Sequence, residues 1–328
     1  MKLSRILQLV GGLAIAAAGL AIFFRHVDLH KLGTELRATS IWAVVAGLAL
    51  AVLTIWFRAI RFKLILPDSP GTHKRMMFQN VMISYMINNV LPARLGDVLR
   101  AHVLGTEQET SRALALGTIA AEKAFDILGL LVCAGLTVAW TALPTWLYIP
   151  LIVLAGTGLA LFSLALAWPE RTILAWTERW AAIRSWKGGM WLAARSRAVL
   201  AGLATVRQPR RTIEACSWSA VVWVSATATN YLLFLAYGFH LSVGAALLLL
   251  VSLTIGIVPP SSPAKLGVFH SIAVFTLAVF GVERSSGLAY AVALHLLVYV
   301  PQIVPGAILV GWVLPTVSRL GPKWRQEP

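Results

Sequence analysis

The stretch Leu91-Pro92-Ala93-Arg94-Leu95-Gly96-Asp97-Val98-Leu99-Arg100 follows an apolar run, Met76 to Val90, that is too short for a comfortable membrane span. A second break of the same kind lies in the other half of the chain. There Pro259-Pro260-Ser261-Ser262-Pro263-Ala264-Lys265-Leu266-Gly267 separates two apolar arms, Leu241 to Val258 and Val268 to Gly281. The breaks share a core: Pro92-Ala93-Arg94-Leu95-Gly96 aligns with Pro263-Ala264-Lys265-Leu266-Gly267. Proline removes a donor and clashes with the preceding turn, so neither stretch continues as one helix. Broken helices at membrane depth are tolerated where the backbone is buried in protein or lines a cavity. Both stretches therefore read as re-entrant hairpins, and matched interruptions in two halves of a chain point to an inverted repeat around a central site.

Working outward, the runs Leu7 to Phe24, Ile41 to Phe57, Phe125 to Trp140, Leu147 to Trp168, Ala215 to Tyr237 and Leu288 to Leu314 hold almost no charge. A span needs roughly 20 apolar residues to cross ~30 Å of hydrocarbon, and each run nears that length with its flanks. Lipid offers no hydrogen bonds, so the runs must be helical. The expected fold is an all-α integral membrane protein of about six full transmembrane helices plus two oppositely oriented re-entrant hairpins. Residues 1–328 read as a single domain. Lys2 and Arg5 before an apolar stretch resemble a signal peptide, but Phe23-Phe24-Arg25 is a poor cleavage site, so the first run reads as a retained span.

The formal net charge is +15. Its distribution argues against nucleic acid. Lys2, Arg5, Arg58, Arg61, Lys63, Lys74, Arg75, Arg112, Lys123, the group from Arg171 to Arg211, and Arg319, Lys323 and Arg325 all fall on one side if the chain starts inside. The other side holds only Arg25, Lys31, Arg37 and Arg284. This is the positive-inside pattern. It places the protein in the inner (cytoplasmic) membrane with both termini cytoplasmic. The first hairpin then enters from the cytoplasm and the second from outside. Residues 169–212 interleave Trp176, Trp180, Trp186 and Trp191 with Arg179, Arg184, Lys187, Arg195 and Arg197, the composition of a helix lying in the interface.

Polar residues in a bilayer are costly and mark function by default. The first hairpin offers Asn88 and Asn89 where the incoming helix ends, then Pro92, Arg94, Gly96, Asp97 and Arg100. An arginine brings a permanent, forked donor suited to phosphate. Glu122 and Asp126 are four apart and share a helix face, from which they can hold Arg94 or Arg100. Acidic residues in a first helical turn account for Glu122 equally well. The second hairpin offers Ser261, Ser262, Lys265, Gly267 and His270. Asn230 and His295 are lone polar groups in spans and read as structural. Arg94 and Lys265, matched in the repeat, are expected to converge on one anionic headgroup.

The chain has no Gly-rich phosphate loop after a strand, no His-Glu-x-x-His, no paired-Cys pattern and no Gly-x-Ser-x-Gly elbow. Cys133 and Cys216 stand far apart. No cofactor or metal is expected, and the chain reads as a lipid transporter rather than an enzyme, with a lipid-binding scaffold partner of a biosynthetic enzyme and a membrane enzyme acting on a lipid phosphate as the alternatives. Its expected partner is a membrane lipid with an anionic headgroup. Self-association into a homo-oligomer is compatible with such a surface.

The run Asn88 to Arg100 resembles the signature of the flippase-like membrane domain family, which includes the transmembrane part of lysylphosphatidylglycerol synthases. Glu122-Lys123-Ala124-Phe125-Asp126 is similar to that family's second motif, and Pro260 to Phe269 to its third. The order and spacing fit over nearly the whole chain. The resemblance implies translocation of a lipid between leaflets. Three departures stand out: Asp97 where Glu is frequent, Ala264-Lys265 in place of a Gly-rich step, and His270 near where an acid is frequent. The lysine and the histidine make the site more cationic and favour an anionic headgroup over a cationic aminoacyl lipid. The aminoacyl transferase domain is not expected in this chain.

Overall fold

The computed structural model describes residues 40–66, 74–90, 95–107, 112–167, 208–258 and 265–319. Among these residues the fold is all helical. The helices are α1 (Ile41–Ile65), α2 (Lys74–Val90), α3 (Leu95–Glu107), α4 (Arg112–Trp140), α5 (Thr145–Ala167), α6 (Pro209–Ala236), α7 (Val243–Gly256), α8 (Val268–Ala278) and α9 (Arg284–Arg319). By length and composition three are able to cross a membrane, over Ile41–Ile65, Pro209–Ala236 and Arg284–Leu309. The expected first span at 7–24 lies outside the described residues, as does the interfacial segment apart from its last residues, which open α6.

Local chemistry sets the helix ends. Pro209 sits in the first turn of α6, where a missing N–H costs nothing. The Ser242 hydroxyl caps α7 by accepting from the Ala245 N–H at 3.3 Å. Lys265 and Gly267 carry φ of 58° and 83°, so the chain turns through the left-handed region just before α8. Inside the helices, hydroxyls satisfy themselves on the preceding turn: Thr54 on the Leu50 carbonyl, Thr137 on Cys133 and Thr229 on Ser225.

Both proline breaks interrupt helices as the sequence requires. α2 ends at Val90 and α3 resumes at Leu95, while α7 ends at Gly256 and α8 resumes at Val268. Each pair packs on itself as a helical hairpin. The four arms are between about 17 and 26 Å long at ~1.5 Å per residue, short of ~30 Å of hydrocarbon. α4 differs from expectation. It begins at Arg112, so Glu122, Lys123 and Asp126 lie in the helix interior and not in its first turn. The dipole account of Glu122 therefore fails.

The packing has an internal correspondence. Exchange α1, α2, α3 and α4 for α6, α7, α8 and α9. Contact α1–α2 becomes α6–α7, α2–α3 becomes α7–α8, and α3–α4 becomes α8–α9. Contact α2–α9 becomes α7–α4, α1–α9 becomes α6–α4, and α1–α4 becomes α6–α9. All six pairs and their images are present. The most extensive contact, α1 on α6, maps onto itself. Those two helices run antiparallel. The Ser40 N–H donates to the Ala236 carbonyl at 3.3 Å at one end, and Arg61 meets Ser219 at the other.

Contacts between ends place the two hairpins. Tyr237 donates its hydroxyl to the Ala289 carbonyl at 3.1 Å, and Phe239 packs on Tyr290. Thr141 crowds Gly244. The starts of α1, α7 and α9 thus share one end with the close of α4 and α6. At the opposite end Phe62, Leu66, Met77, Leu104 and Ala115 form one apolar cluster, joining the close of α1 and α3 to the start of α2 and α4. The hairpins enter the bundle from opposite ends.

Candidate functional site

Where the first hairpin meets α1, α4 and α6 lies a ladder of charges, buried at Arg61, Glu122 and Arg100 and partly buried at Arg58 and Asp126. Arg58 and Arg61 are three apart on α1, so they share a face. Asp126 on α4 stands between them, 3.3 Å from the Arg58 Nη1 and 2.7 Å from the Arg61 Nη2. One turn earlier on α4, Glu122 lies 3.6 Å from Arg61 and 2.8 Å from the Arg100 Nη1. The order is Arg58, Asp126, Arg61, Glu122, Arg100, with an arginine at each end. Arg61 and Glu122 are 0% and 1% exposed, and Arg100 is 3% exposed. Arg61 also donates to the Ser219 hydroxyl at 3.0 Å, which ties α6 to the ladder. Arg58 donates to the Tyr85 hydroxyl oxygen at 3.4 Å.

Beside the ladder, Asp97 closes the neck of the first hairpin. It accepts from Ser84 at 3.2 Å and from the Asn88 Nδ2 at 3.1 Å, and Lys123 stands 3.6 Å away. The Asn88 Oδ1 in turn accepts from the Gly96 N–H at 2.8 Å, capping the start of α3. Gly96 is needed for this closeness, because a Cβ there would run into the Ser84 carbonyl oxygen. Asn89 faces another way, donating to the Gln302 Oε1 of α9 at 2.8 Å.

The second hairpin is lined differently. His270 on α8 stacks on His295 of α9, centroids 4.8 Å apart, and His295 stacks on Tyr299 at 4.2 Å. Phe269 sets its edge against all three rings. The Lys265 Nζ lies 5.6 Å from the Tyr299 ring centroid, a cation–π distance. In both halves, then, the helix after the hairpin carries a pair four apart: Glu122 and Asp126 on α4, of which Glu122 reaches Arg100 of the hairpin and Asp126 reaches α1, and His295 and Tyr299 on α9.

A described flank of each break reaches α9. Lys265 sits over Tyr299, Asn89 bonds Gln302, and those two α9 residues are three apart, hence neighbours on one face. Of the residues expected to form a site, Asn88, Asn89, Gly96, Asp97, Arg100, Glu122 and Asp126 gather around the first hairpin, and Lys265, Gly267 and His270 around the second. Pro92, Arg94, Ser261 and Ser262 lie outside the described residues, so the expected meeting of Arg94 with Lys265 does too. The Arg100–Glu122 pairing expected from sequence is present, while Asp126 instead engages Arg58 and Arg61.

Arg58, Arg61, Ser219, Tyr299 and Gln302 escaped the sequence reading. The two arginines were assigned to topology, although their spacing of three just past an apolar run signals a shared helix face. Gln302, a lone amide within an apolar run, carried a signal of its own. His295, read as structural, joins the aromatic stack. Asn230 is structural as expected, donating to the Ala246 carbonyl at 3.3 Å. Among the described residues no group of three or more His, Cys, Asp or Glu is placed to hold a metal ion.

Comparison with known proteins adds two findings. Glycosyltransferase AglD of Haloferax volcanii is 26% identical over 142 residues, 43% of this chain and 23% of that protein. The chain thus spans under a quarter of the length of the curated relative it matches. That relative's name overturns the expectation that enzymes are excluded: catalysis occurs among proteins similar to this one. The second finding covers residues 9–306, which match the model of the lysylphosphatidylglycerol synthase TM region. A match over nearly the whole chain, on a bundle of apolar helices, makes this a membrane protein that belongs to the lysylphosphatidylglycerol synthase TM region family.

Proposed function

We propose that the chain moves an anionic lipid, or a lipid-linked precursor, between the leaflets of the inner membrane. The observation that carries this reading is that Asn89 and Lys265, which flank the breaks of two hairpins opening at opposite ends, reach one face of α9. Read in a membrane, the correspondence between α1–α4 and α6–α9 is an inverted repeat, and the hairpins are re-entrant. The polar residues flanking both breaks then lie towards the centre, where a headgroup in transit needs polar partners. Asn88, Asn89, Asp97, Arg100, Glu122, Asp126, Lys265 and His270 line the route. Arg58, Lys63, Arg75, Arg112, Arg210 and Arg211 cluster at the end where the first hairpin opens, which makes that end cytoplasmic.

The test is reconstitution into sealed liposomes with fluorescently tagged phosphatidylglycerol and a membrane-impermeant quencher. Active protein makes the inner-leaflet pool accessible to quencher. No increase over empty liposomes, with protein inserted and monodisperse, defeats the proposal. The likeness to a glycosyltransferase supports a second reading, in which the chain takes part in transferring a sugar to or from a lipid carrier. Turnover of a lipid-linked sugar by the purified protein would favour it over translocation.

A further inference from the structure

The ladder pairs three guanidiniums with two carboxylates, leaving one positive charge in excess. A buried charge without a counter-charge is expensive in a low-dielectric interior. Among the described residues the ladder keeps three buried donors without a partner, the Nε of Arg61 in its middle and two nitrogens of Arg100 at one end. Arg100 gives its Nη1 to Glu122 and lays its guanidinium carbon 3.4 Å from the Phe62 ring centroid. Its Nε and Nη2 are buried with no hydrogen-bond partner among the described residues. Those two nitrogens form one edge of the guanidinium, the side-on fork that matches two oxygens of a phosphate or carboxylate. Stacking on Phe62 and the bond to Glu122 hold the plane fixed, so little freedom is lost when the fork is engaged.

We propose that the Arg100 Nε–Nη2 fork is an oxyanion seat for a singly charged phosphodiester, supplied by a lipid headgroup. One such anion balances the ladder's single excess charge and satisfies both donors. The proposal deepens the translocation reading and rests on it, because it names the chemical group the moving lipid must carry. Lysine at this position keeps the charge but has no fork, which separates recognition by geometry from attraction by charge.

The experiment uses the full chain in detergent, with phosphatidylglycerol binding read by native mass spectrometry for wild type, R100K and R100Q. Thermal unfolding and size-exclusion profiles establish that each variant is folded. R100K is expected to lose about tenfold in lipid affinity despite its charge, given the strength of a bidentate pair. R100Q is expected to lose at least as much. A Lys63→Gln variant, which removes a cation outside the ladder, is expected to bind as wild type does. Should R100K be folded and bind like wild type, the fork is not the seat. If R100K does not fold, the outcome turns on inorganic phosphate and lipid titrated against the wild type. Displacement of phosphatidylglycerol only at far higher phosphate concentration supports the lipid. Stabilisation by inorganic phosphate with no phosphatidylglycerol binding assigns the fork to a soluble anion and overturns the proposal. Binding that depends on Arg100 while the liposome assay shows no translocation leaves the seat standing and removes the transport reading alone.

Discussion

Glu122 touches two buried arginines at once, and its neutralisation leaves Arg100 facing a dipole instead of a charge and Arg61 with Asp126 alone. Breaking a buried pair by removing one partner costs about 3–5 kcal/mol. Glu122→Gln is therefore expected to lower stability by that order, read as the thermal midpoint in detergent. Asp97→Asn, by contrast, should cost less, since Asp97 and Lys123 are both partly exposed. Equal losses for the two would mean that the ladder is not energetically distinct. Gly96→Ala is expected to cost about 1–3 kcal/mol through overpacking against the Ser84 carbonyl. These residues were unequally legible. Pro92, Gly96 and Gly267 announce themselves, because a break is a local event that one residue type causes. The pairing of Arg61 with Asp126 and Glu122 is a tertiary choice, and a basic residue after an apolar run looks the same whether it marks topology or fills a core.

At the scale of elements, the hairpins were readable from the spacing of their breaks, and so was the end of α2 at the paired asparagines. The start of α4 was not. Arg112 to Ala121 is rich in small residues, and the apolar run that signals a span begins only at Phe125. Helix formed before hydrophobicity did, which moved the acidic pair from a helix end to its middle. The α2–α9 contact supplies a direct check. With Cys133 and Cys216 replaced by alanine, Asn89→Cys and Gln302→Cys should be joined by a short bis-maleimide in intact membranes. The pairing of Asn89→Cys with Glu283→Cys, at the far end of the bundle, should give no product. Cross-linking of both pairs alike would mean that the end of α2 does not rest on α9.

For the molecule as a whole, the end-to-end contacts place Thr145 and Glu283 on one side and Arg210 on the other. In the same cysteine-free background, a membrane-impermeant maleimide applied to sealed, right-side-out cells should label Thr145→Cys and Glu283→Cys but not Arg210→Cys. Labelling of Arg210→Cys together with Glu283→Cys from one side would remove the antiparallel arrangement of α1 and α6 from any membrane reading.

The exchange of α1–α4 for α6–α9 has a consequence for vectorial behaviour. A scaffold that looks the same from both faces gives a traveller no reason to prefer one direction. Only what is bolted to the scaffold can tell the faces apart, and here the two halves are furnished differently. One hairpin is backed by a run of alternating charges, the other by stacked imidazole and phenol rings. On the proposed translocation reading, any bias between inward and outward states would originate in those few side chains and in α5, whose contact with α4 has no image under the exchange. If the chain translocates lipid as proposed, swapping the acid pair of α4 with the ring pair of α9 is expected to reverse that bias without rebuilding the scaffold.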